Sequence, residues 1–131
     1  MPLALPALLT LLAVLWFVIV GFYVGRARTK YKVPAPATTG NPDFERAFRV
    51  QMNELEQLVA FLPPMWIFAW LGNPRWAAIA CAVWLVGRVL YAFGYWSAAE
   101  KRHWGFLIAS MTLVVTWIAA LLAVLRALSI P

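Results

Sequence analysis

The chain is dominated by four long and predominantly apolar stretches, at about 3–24, 44–71, 76–97 and 104–125. Each is long enough to be a transmembrane helix, which needs about 20 residues to cross the hydrocarbon core of a bilayer. The segments between them are short and rich in helix-breaking or hydrophilic residues, at 33–42, 72–74 and 98–103. The pattern predicts an all-α integral membrane protein, a four-transmembrane-helix bundle that forms a single domain over residues 1–131.

The second stretch differs from the other three, because its first third is polar and its interior contains Pro63 and Pro64. Each proline removes a backbone N–H donor and clashes with the preceding turn. We therefore expect a kink at this level, which neighbouring helices can cover. Kinked helices of this kind often line cavities.

The composition indicates that lipid surrounds most of the chain, since 64% of the residues are hydrophobic and only 12% are charged. Soluble domains contain about half apolar and a quarter charged residues. A formal charge of +6 would suggest a nucleic-acid partner in a soluble protein. Here nine of the eleven Lys and Arg residues lie in 26–49 and 88–102, beside the predicted spans. We interpret them as orientation signals and predict no nucleic-acid partner.

The same charges predict a topology for the multi-pass chain. The first and third connections are basic, whereas the second contributes only Arg75 and the C-terminal end only Arg126. Basic connections remain in the cytoplasm, so both termini are expected on the opposite side. The first apolar stretch has no basic leader or A-x-A cleavage site, which predicts a retained span rather than a removed signal peptide.

Metal and disulfide chemistry are not predicted. Cys81 is the only cysteine and lies in an apolar run, which is typical of a packing residue. His103 is the only histidine, so no pair of histidines exists at metal-ligand spacing. We interpret His103 as a solvated residue at the membrane interface.

A polar stripe runs along the second predicted helix. Arg49, Asn53 and Glu56 are spaced i, i+4 and i+7, which places them on one helical face. Ionisable groups at the centre of a membrane helix cost about 2.5 to 3.5 kcal/mol each on insertion scales, so they normally face a partner or a wet cavity. The stripe predicts a hydrophilic environment on this face.

A second stripe occurs on the third predicted helix, where Arg88, Tyr91 and Tyr95 are spaced i, i+3 and i+7. If helices two and three are antiparallel, the two stripes lie at similar depth in the cytoplasmic half of the bilayer. Arg102 follows just beyond them. Because arginines outnumber carboxylates here, we predict a positively charged pocket for an anionic ligand.

A purely structural interpretation of these residues is also open. In it, Arg49 pairs with Glu56, Asn53 bridges two helices, and Arg88 extends to the lipid surface with its tyrosines as interface anchors. The buried polar groups would then only hold helices or subunits together.

The segment 44–56, FERAFRVQMNELE, together with Arg88-Val-Leu-Tyr91 and Gly94-Tyr95, resembles the MAPEG family of membrane-associated proteins in eicosanoid and glutathione metabolism. The resemblance covers nearly the whole chain. Segment 38–46 is similar to the first loop of the family's leukotriene-forming glutathione transferases. Gln57 and Leu55 depart from that pattern, because those members have a tyrosine and a serine at these positions, which leaves substrate choice open.

The resemblance implies a homotrimer of four-helix subunits that binds glutathione between adjacent subunits, in a site open toward the cytoplasm. By position, it implies glutathione-binding roles for Arg28, Arg49, Gln51, Asn53, Glu56, Arg88, Tyr91 and Tyr95. Arg102 matches the family's catalytic arginine. Gln51 lies about 200° around the helix from Arg49, so it either reaches another subunit's ligand or packs between helices.

The chemistry of glutathione fits these residue types. Its two carboxylates suit arginine, its ammonium suits Glu56, and its amides suit Asn53, Gln51 and tyrosine hydroxyls. Its thiol is mostly protonated at neutral pH, and the guanidinium of Arg102 near the sulfur would favour the nucleophilic thiolate. No metal is required.

We therefore predict a membrane-bound glutathione transferase, with glutathione peroxidase activity as a further possibility, acting in detoxification. Its second substrate would be a lipophilic electrophile or lipid hydroperoxide dissolved in membrane lipid. A bacterial inner membrane is expected, with the endoplasmic reticulum as the alternative. Two other functions remain open: a non-catalytic lipid-binding scaffold of the same family, and a glutathione-dependent isomerase.

Overall fold

The computed structural model describes residues 2–129, which form four long helices and no strand. Their bounds are Ala4–Tyr31 for α1, Pro42–Leu71 for α2, Pro74–Ser97 for α3 and His103–Ser129 for α4. A short 3₁₀ turn, Ala99–Arg102, joins α3 to α4. Each predicted apolar stretch corresponds to one helix, so the all-α prediction is confirmed.

Two helices begin with the same pair of residues, an asparagine cap followed by proline. The Asn41 side chain accepts hydrogen bonds from the backbone N–H groups of Asp43 and Phe44, and Asn73 caps α3 in the same way. The following proline needs no hydrogen-bond partner at the first helical position and has a helical φ. Consequently only Gly72 and Asn73 separate α2 from α3.

The first helix is longer than the predicted span, which ended near residue 24. It continues to Tyr31 and ends at Lys32, whose φ is 55°. No proline occurs between residue 24 and Pro34, and basic residues near a helix C-terminus interact favourably with the helix dipole. Arg28 therefore lies on the last turn of α1 and not in the connecting loop.

The helix α2 passes through Pro63 and Pro64 without interruption. The prolines therefore do not end the helix, and the kink expected at this level stays a prediction. This helix contacts α1, α3 and α4. Its polar first half is consequently held against neighbouring helices.

Three of the four helices are long and apolar enough to cross a membrane: α1, α3 and the segment Ala99–Ser129 that contains α4. The helix α2 does not meet this criterion, because its first half carries the polar residues. Large apolar side chains remain exposed on the outer surface, such as Trp70 and Phe22. These faces are suited to contact with lipid.

The centre of the bundle is packed with aromatic and small residues. The rings of Phe61 and Trp84 stack in parallel with their centroids 4.5 Å apart, and Met65 and Cys81 are buried beside them. Cys81 is thus a packing residue, as its sequence context indicated.

The helices α3 and α4 approach each other closely at two glycines. A Cβ atom placed on Gly105 would lie 2.1 Å from the backbone nitrogen of Tyr91 and 2.7 Å from the carbonyl oxygen of Gly87. Only the absence of a side chain permits this contact. It fixes the start of α4, and so Arg102, close to Tyr91.

Candidate functional site

A cavity of about 340 Å³ opens where α2, α3 and the start of α4 meet. It is lined by Arg49, Asn53, Glu56, Gln57, Arg88, Tyr91, Tyr95, Arg102 and Phe106. Seven of these nine residues were predicted from the sequence. The two polar stripes therefore face one common cavity, as their spacing indicated.

One residue of the lining, Arg88, belongs to a buried ion pair. The Nε atom of Arg88 donates a hydrogen bond to Oε2 of Glu54 at 3.0 Å, and the two side chains are 1% and 0% exposed. The guanidinium of Arg88 also lies over the ring of Tyr91, 4.2 Å from its centroid. Arg88 is therefore fixed from two sides.

Hydrogen bonding and ring contacts connect four residues of the lining. The Nδ2 atom of Asn53 donates to the hydroxyl of Tyr91 at 2.6 Å and so bridges α2 and α3. The rings of Tyr91 and Tyr95 are tilted neighbours with centroids 5.6 Å apart. The guanidinium of Arg102 lies over Tyr95, 4.9 Å from the ring centroid. A continuous chain of contacts thus links Asn53 to Arg102.

The rim of the cavity is exposed and carries uncompensated charge. Arg49, Glu56 and Arg102 are all exposed. Across residues 2–129 the ion pairs are Arg46 with Asp43 and Arg88 with Glu54, so the rim charges form none. Two arginines and one glutamate give the rim a net charge of +1, and the buried pair of Arg88 and Glu54 adds none. Such a surface favours an anionic ligand that also carries a positive group.

The purely structural interpretation is right for one residue and wrong for two. Asn53 does bridge two helices. Arg49 does not pair with Glu56 within the described residues 2–129. Arg88 does not extend to the lipid surface, because it is buried against Glu54.

Two predicted site residues lie outside the cavity. The Nη1 atom of Arg28 donates to the carbonyl oxygens of Val33 and Ala37, at 3.3 and 2.7 Å, and its guanidinium lies 4.8 Å from the ring centroid of Phe44. Gln51 faces α1, where its Nε2 atom lies 3.3 Å from the Cβ position of Gly21. Within one chain, Arg28 stabilises the first loop and Gln51 packs between helices.

Sequence reasoning gave Glu54, Gln57 and Phe106 no role in the site. Phe106 lies one turn beyond Arg102, and Gln57 lies one turn beyond Asn53, so helical spacing could have included both. The Oε1 atom of Gln57 accepts from the indole N–H of Trp84 at 3.3 Å. Glu54 does not lie on the polar stripe of α2. Its role could have been inferred only from the fact that a buried arginine such as Arg88 needs a carboxylate partner.

The chain is similar in sequence to several known proteins. The model of the MAPEG family matches residues 6–122. An uncharacterized protein of Synechocystis sp. is 54% identical over 120 residues, which cover 92% of this chain and 88% of that protein. Microsomal glutathione S-transferase 2 of Homo sapiens is 44% identical over 107 residues, covering 82% and 69%. Leukotriene C4 synthase of Cavia porcellus is 38% identical over 99 residues, covering 76% and 66%.

Proposed function

Because the chain belongs to the MAPEG family and is an integral membrane protein, we propose that it is a membrane-bound glutathione transferase. Similarity to a microsomal glutathione S-transferase and to a leukotriene C4 synthase supports a glutathione-related function. The observation that carries the proposal is the cavity between α2, α3 and α4. Two exposed arginines and one glutamate give its rim a net charge of +1, above the buried pair of Arg88 and Glu54.

The lining groups complement glutathione, whose neutral-pH form has two carboxylates and one ammonium. Arg49 and Arg88 are suited to the carboxylates, because a guanidinium can donate two parallel hydrogen bonds. Glu56 is suited to the ammonium. Asn53 and Tyr95 offer hydrogen-bonding groups for the peptide amides. This assignment uses each charged residue of the cavity lining except Arg102.

Arg102 is assigned the catalytic role, which is to stabilise the thiolate. Its position at the rim, on the short turn before α4, brings a positive charge to the exposed side of the cavity. A nearby cation lowers the pKa of a thiol, and the thiolate is the nucleophile. In transfer, the sulfur forms a bond to an electrophilic carbon while the leaving group or opened ring takes the electron pair.

Peroxidase activity follows from the same thiolate. Two glutathione molecules would be oxidised to the disulfide while a hydroperoxide is reduced to an alcohol and water. In either reaction the second substrate is lipophilic and arrives from membrane lipid. The large exposed apolar surface of α3 and α4 supports access from that side.

The proposal includes a homotrimer with glutathione between adjacent subunits. Support comes from the exposed rim, where Arg49, Glu56 and Arg102 have no ionic partner within residues 2–129. A neighbouring subunit would cover this open side. In such an assembly Arg28 or Gln51, which lie outside the cavity of their own chain, would serve the ligand of a neighbour.

The proposed topology places four spans in a bacterial inner membrane, with α2 as the span whose polar half is covered by other helices. The basic first and third connections would face the cytoplasm and both termini the opposite side. The similarity to a Synechocystis protein supports a bacterial origin.

Titration of the detergent-purified chain with glutathione tests the binding step. Replacing Glu56 with glutamine removes the proposed partner of the ligand ammonium, and a charge-assisted contact is worth about tenfold in affinity or more. We expect the dissociation constant for glutathione to rise about tenfold in Glu56→Gln, measured by calorimetry. Glu100→Gln, on the exposed 3₁₀ turn and outside this cavity, should bind like the native chain.

Failure of the native chain to bind millimolar glutathione would refute the transferase and favour the lipid-binding scaffold. Binding with normal thiolate formation but no conjugate from a panel of electrophiles, together with rearrangement of an endoperoxide, would instead identify a glutathione-dependent isomerase.

A further inference from the structure

Glu54 and Arg88 form a fully buried ion pair, 0% and 1% exposed, between α2 and α3. Removing two charges from water is costly, and apolar residues of similar volume commonly give equal or better stability. Helix packing alone therefore does not explain the pair. A functional explanation is stronger when one partner also lines a binding cavity, as Arg88 does.

The pair makes one hydrogen bond and leaves one buried polar atom of each partner without a hydrogen bond. The Nε atom of Arg88 donates to Oε2 of Glu54 at 3.0 Å, while Nη2 of Arg88 and Oε1 of Glu54 are both buried without a partner. In arginine, the Nε–H and one Nη2–H group point the same way and match the two oxygens of a carboxylate. Nη2 of Arg88 and Oε1 of Glu54 are therefore suited to a second hydrogen bond, and Nη1 of Arg88 is left for another acceptor. The indole N–H of Trp16, also buried without a partner, is a further donor for the Glu54 carboxylate.

Two consecutive residues of α2 hold two residues of α3 that lie one turn apart. Glu54 pairs with Arg88, and Asn53 donates to the hydroxyl of Tyr91 at 2.6 Å. The Tyr91 ring in turn lies against the guanidinium of Arg88. Arg88 is therefore restrained on one edge by a carboxylate and on one face by an aromatic ring.

We propose that Glu54 is a positioning residue, whose carboxylate holds one edge of Arg88 so that the other edge is presented to an anionic group of the bound ligand. Glu54 lies outside the set of residues that line the cavity and acts only through Arg88. The inference rests on the proposed function in one respect, that a glutathione carboxylate is the group Arg88 receives. A long side chain without this restraint would lose affinity through its many rotamers.

Glu54→Gln tests the proposal with little change in volume. The glutamine side chain has one acceptor oxygen in place of two and carries no charge, so its restraint on Arg88 is weaker. We expect the dissociation constant for glutathione to rise about tenfold, with a smaller rise in Glu54→Asp, which keeps the charge. The control is Leu58→Ala, one turn further along α2 and buried in the core, which should lower the melting temperature without changing affinity. A Glu54→Gln variant that behaves like this control would overturn the proposal.

A double-mutant cycle separates positioning from stability. Glu54→Leu combined with Arg88→Met buries no unpaired charge, so the double variant should remain folded. If Glu54 acts only through Arg88, adding Glu54→Leu to Arg88→Met should cause no further loss of glutathione affinity. A further tenfold loss in that background would overturn the positioning role.

A measurement without glutathione distinguishes failure of this proposal from failure of the proposed function. Phenylglyoxal labels accessible arginines, and mass spectrometry reports the labelled fraction at each site. Arg88 should be protected in the native chain and labelled at least several-fold faster in Glu54→Gln. If the native chain binds no glutathione but this increase occurs, the function fails and the positioning role stands. Unchanged protection in Glu54→Gln would refute the positioning role directly.

Discussion

Replacing Arg102 with alanine should lower the rate of glutathione conjugation at neutral pH by roughly a hundredfold, comparable to the loss of one preorganised charge-stabilising donor. The guanidinium lies at the rim of the cavity over the ring of Tyr95, and no carboxylate of residues 2–129 neutralises it. Its loss raises the pKa of the bound thiol, so less thiolate is present at neutral pH. The rate should therefore recover as the pH rises through the higher pKa.

Ultraviolet difference spectra recorded during glutathione titration measure the thiolate directly, and turnover as a function of pH measures its consequence. Lys101→Ala removes a neighbouring exposed charge and should leave both unchanged. Arg102→Lys keeps the charge without the fork geometry and should give an intermediate rate. Full thiolate absorbance and full turnover in Arg102→Ala would show that another group activates the thiol.

Replacing Gly105 with alanine should reduce the free energy of unfolding by about 3 kcal/mol, at the upper end of overpacking costs. The added Cβ would lie 2.1 Å from the nitrogen and 2.5 Å from the Cα atom of Tyr91. Both are backbone atoms, so relief requires α3 and α4 to move apart. That movement also displaces Arg102, three residues earlier, and glutathione affinity should fall together with stability.

Denaturant unfolding in detergent micelles measures the stability change. Gly25→Ala is the matched control, because the same methyl group at that position meets nothing within 4 Å and improves helix propensity by up to about 1 kcal/mol. It should be neutral or slightly stabilising. A Gly105→Ala variant as stable as the native chain would mean that α3 and α4 separate without cost.

The number and kind of helices could be predicted from the sequence because the apolar stretches are long and punctuated by breakers such as 72–74. The ends of the helices could not be predicted in this way. The apolar stretch of α1 ends near residue 24, but the helix continues through Arg28 to Tyr31. Hydropathy indicates whether lipid or water surrounds a segment, whereas the length of a helix depends on its backbone hydrogen bonds and caps. For the same reason, α2 is helical over its polar first third as well as over its apolar remainder.

The residues of the site could be predicted where their positions depend on the spacing within a single helix. Spacing placed Arg49, Asn53 and Glu56 on one face, and all three line the cavity. The partner of Arg88 depends on how α2 and α3 are rotated against each other, which spacing within a helix does not determine. Glu54 was missed for this reason. Arg28 and Gln51 depend on packing with α1, and their proposed roles depend on a second subunit.

The buried pair between α2 and α3 has a consequence for biogenesis. On the proposed four-span arrangement, α2 alone would carry Glu54 into the bilayer without its countercharge, and charged residues strongly oppose insertion of a single helix. Only Gly72 and Asn73 join α2 to α3, so the two helices can pair as a hairpin once both are synthesised. We expect α2 to enter the membrane with α3 as a preformed pair, and a glycosylation-tag insertion assay should show α2 inserted only when α3 is attached. Arg88 would then act as an assembly partner before any ligand is bound.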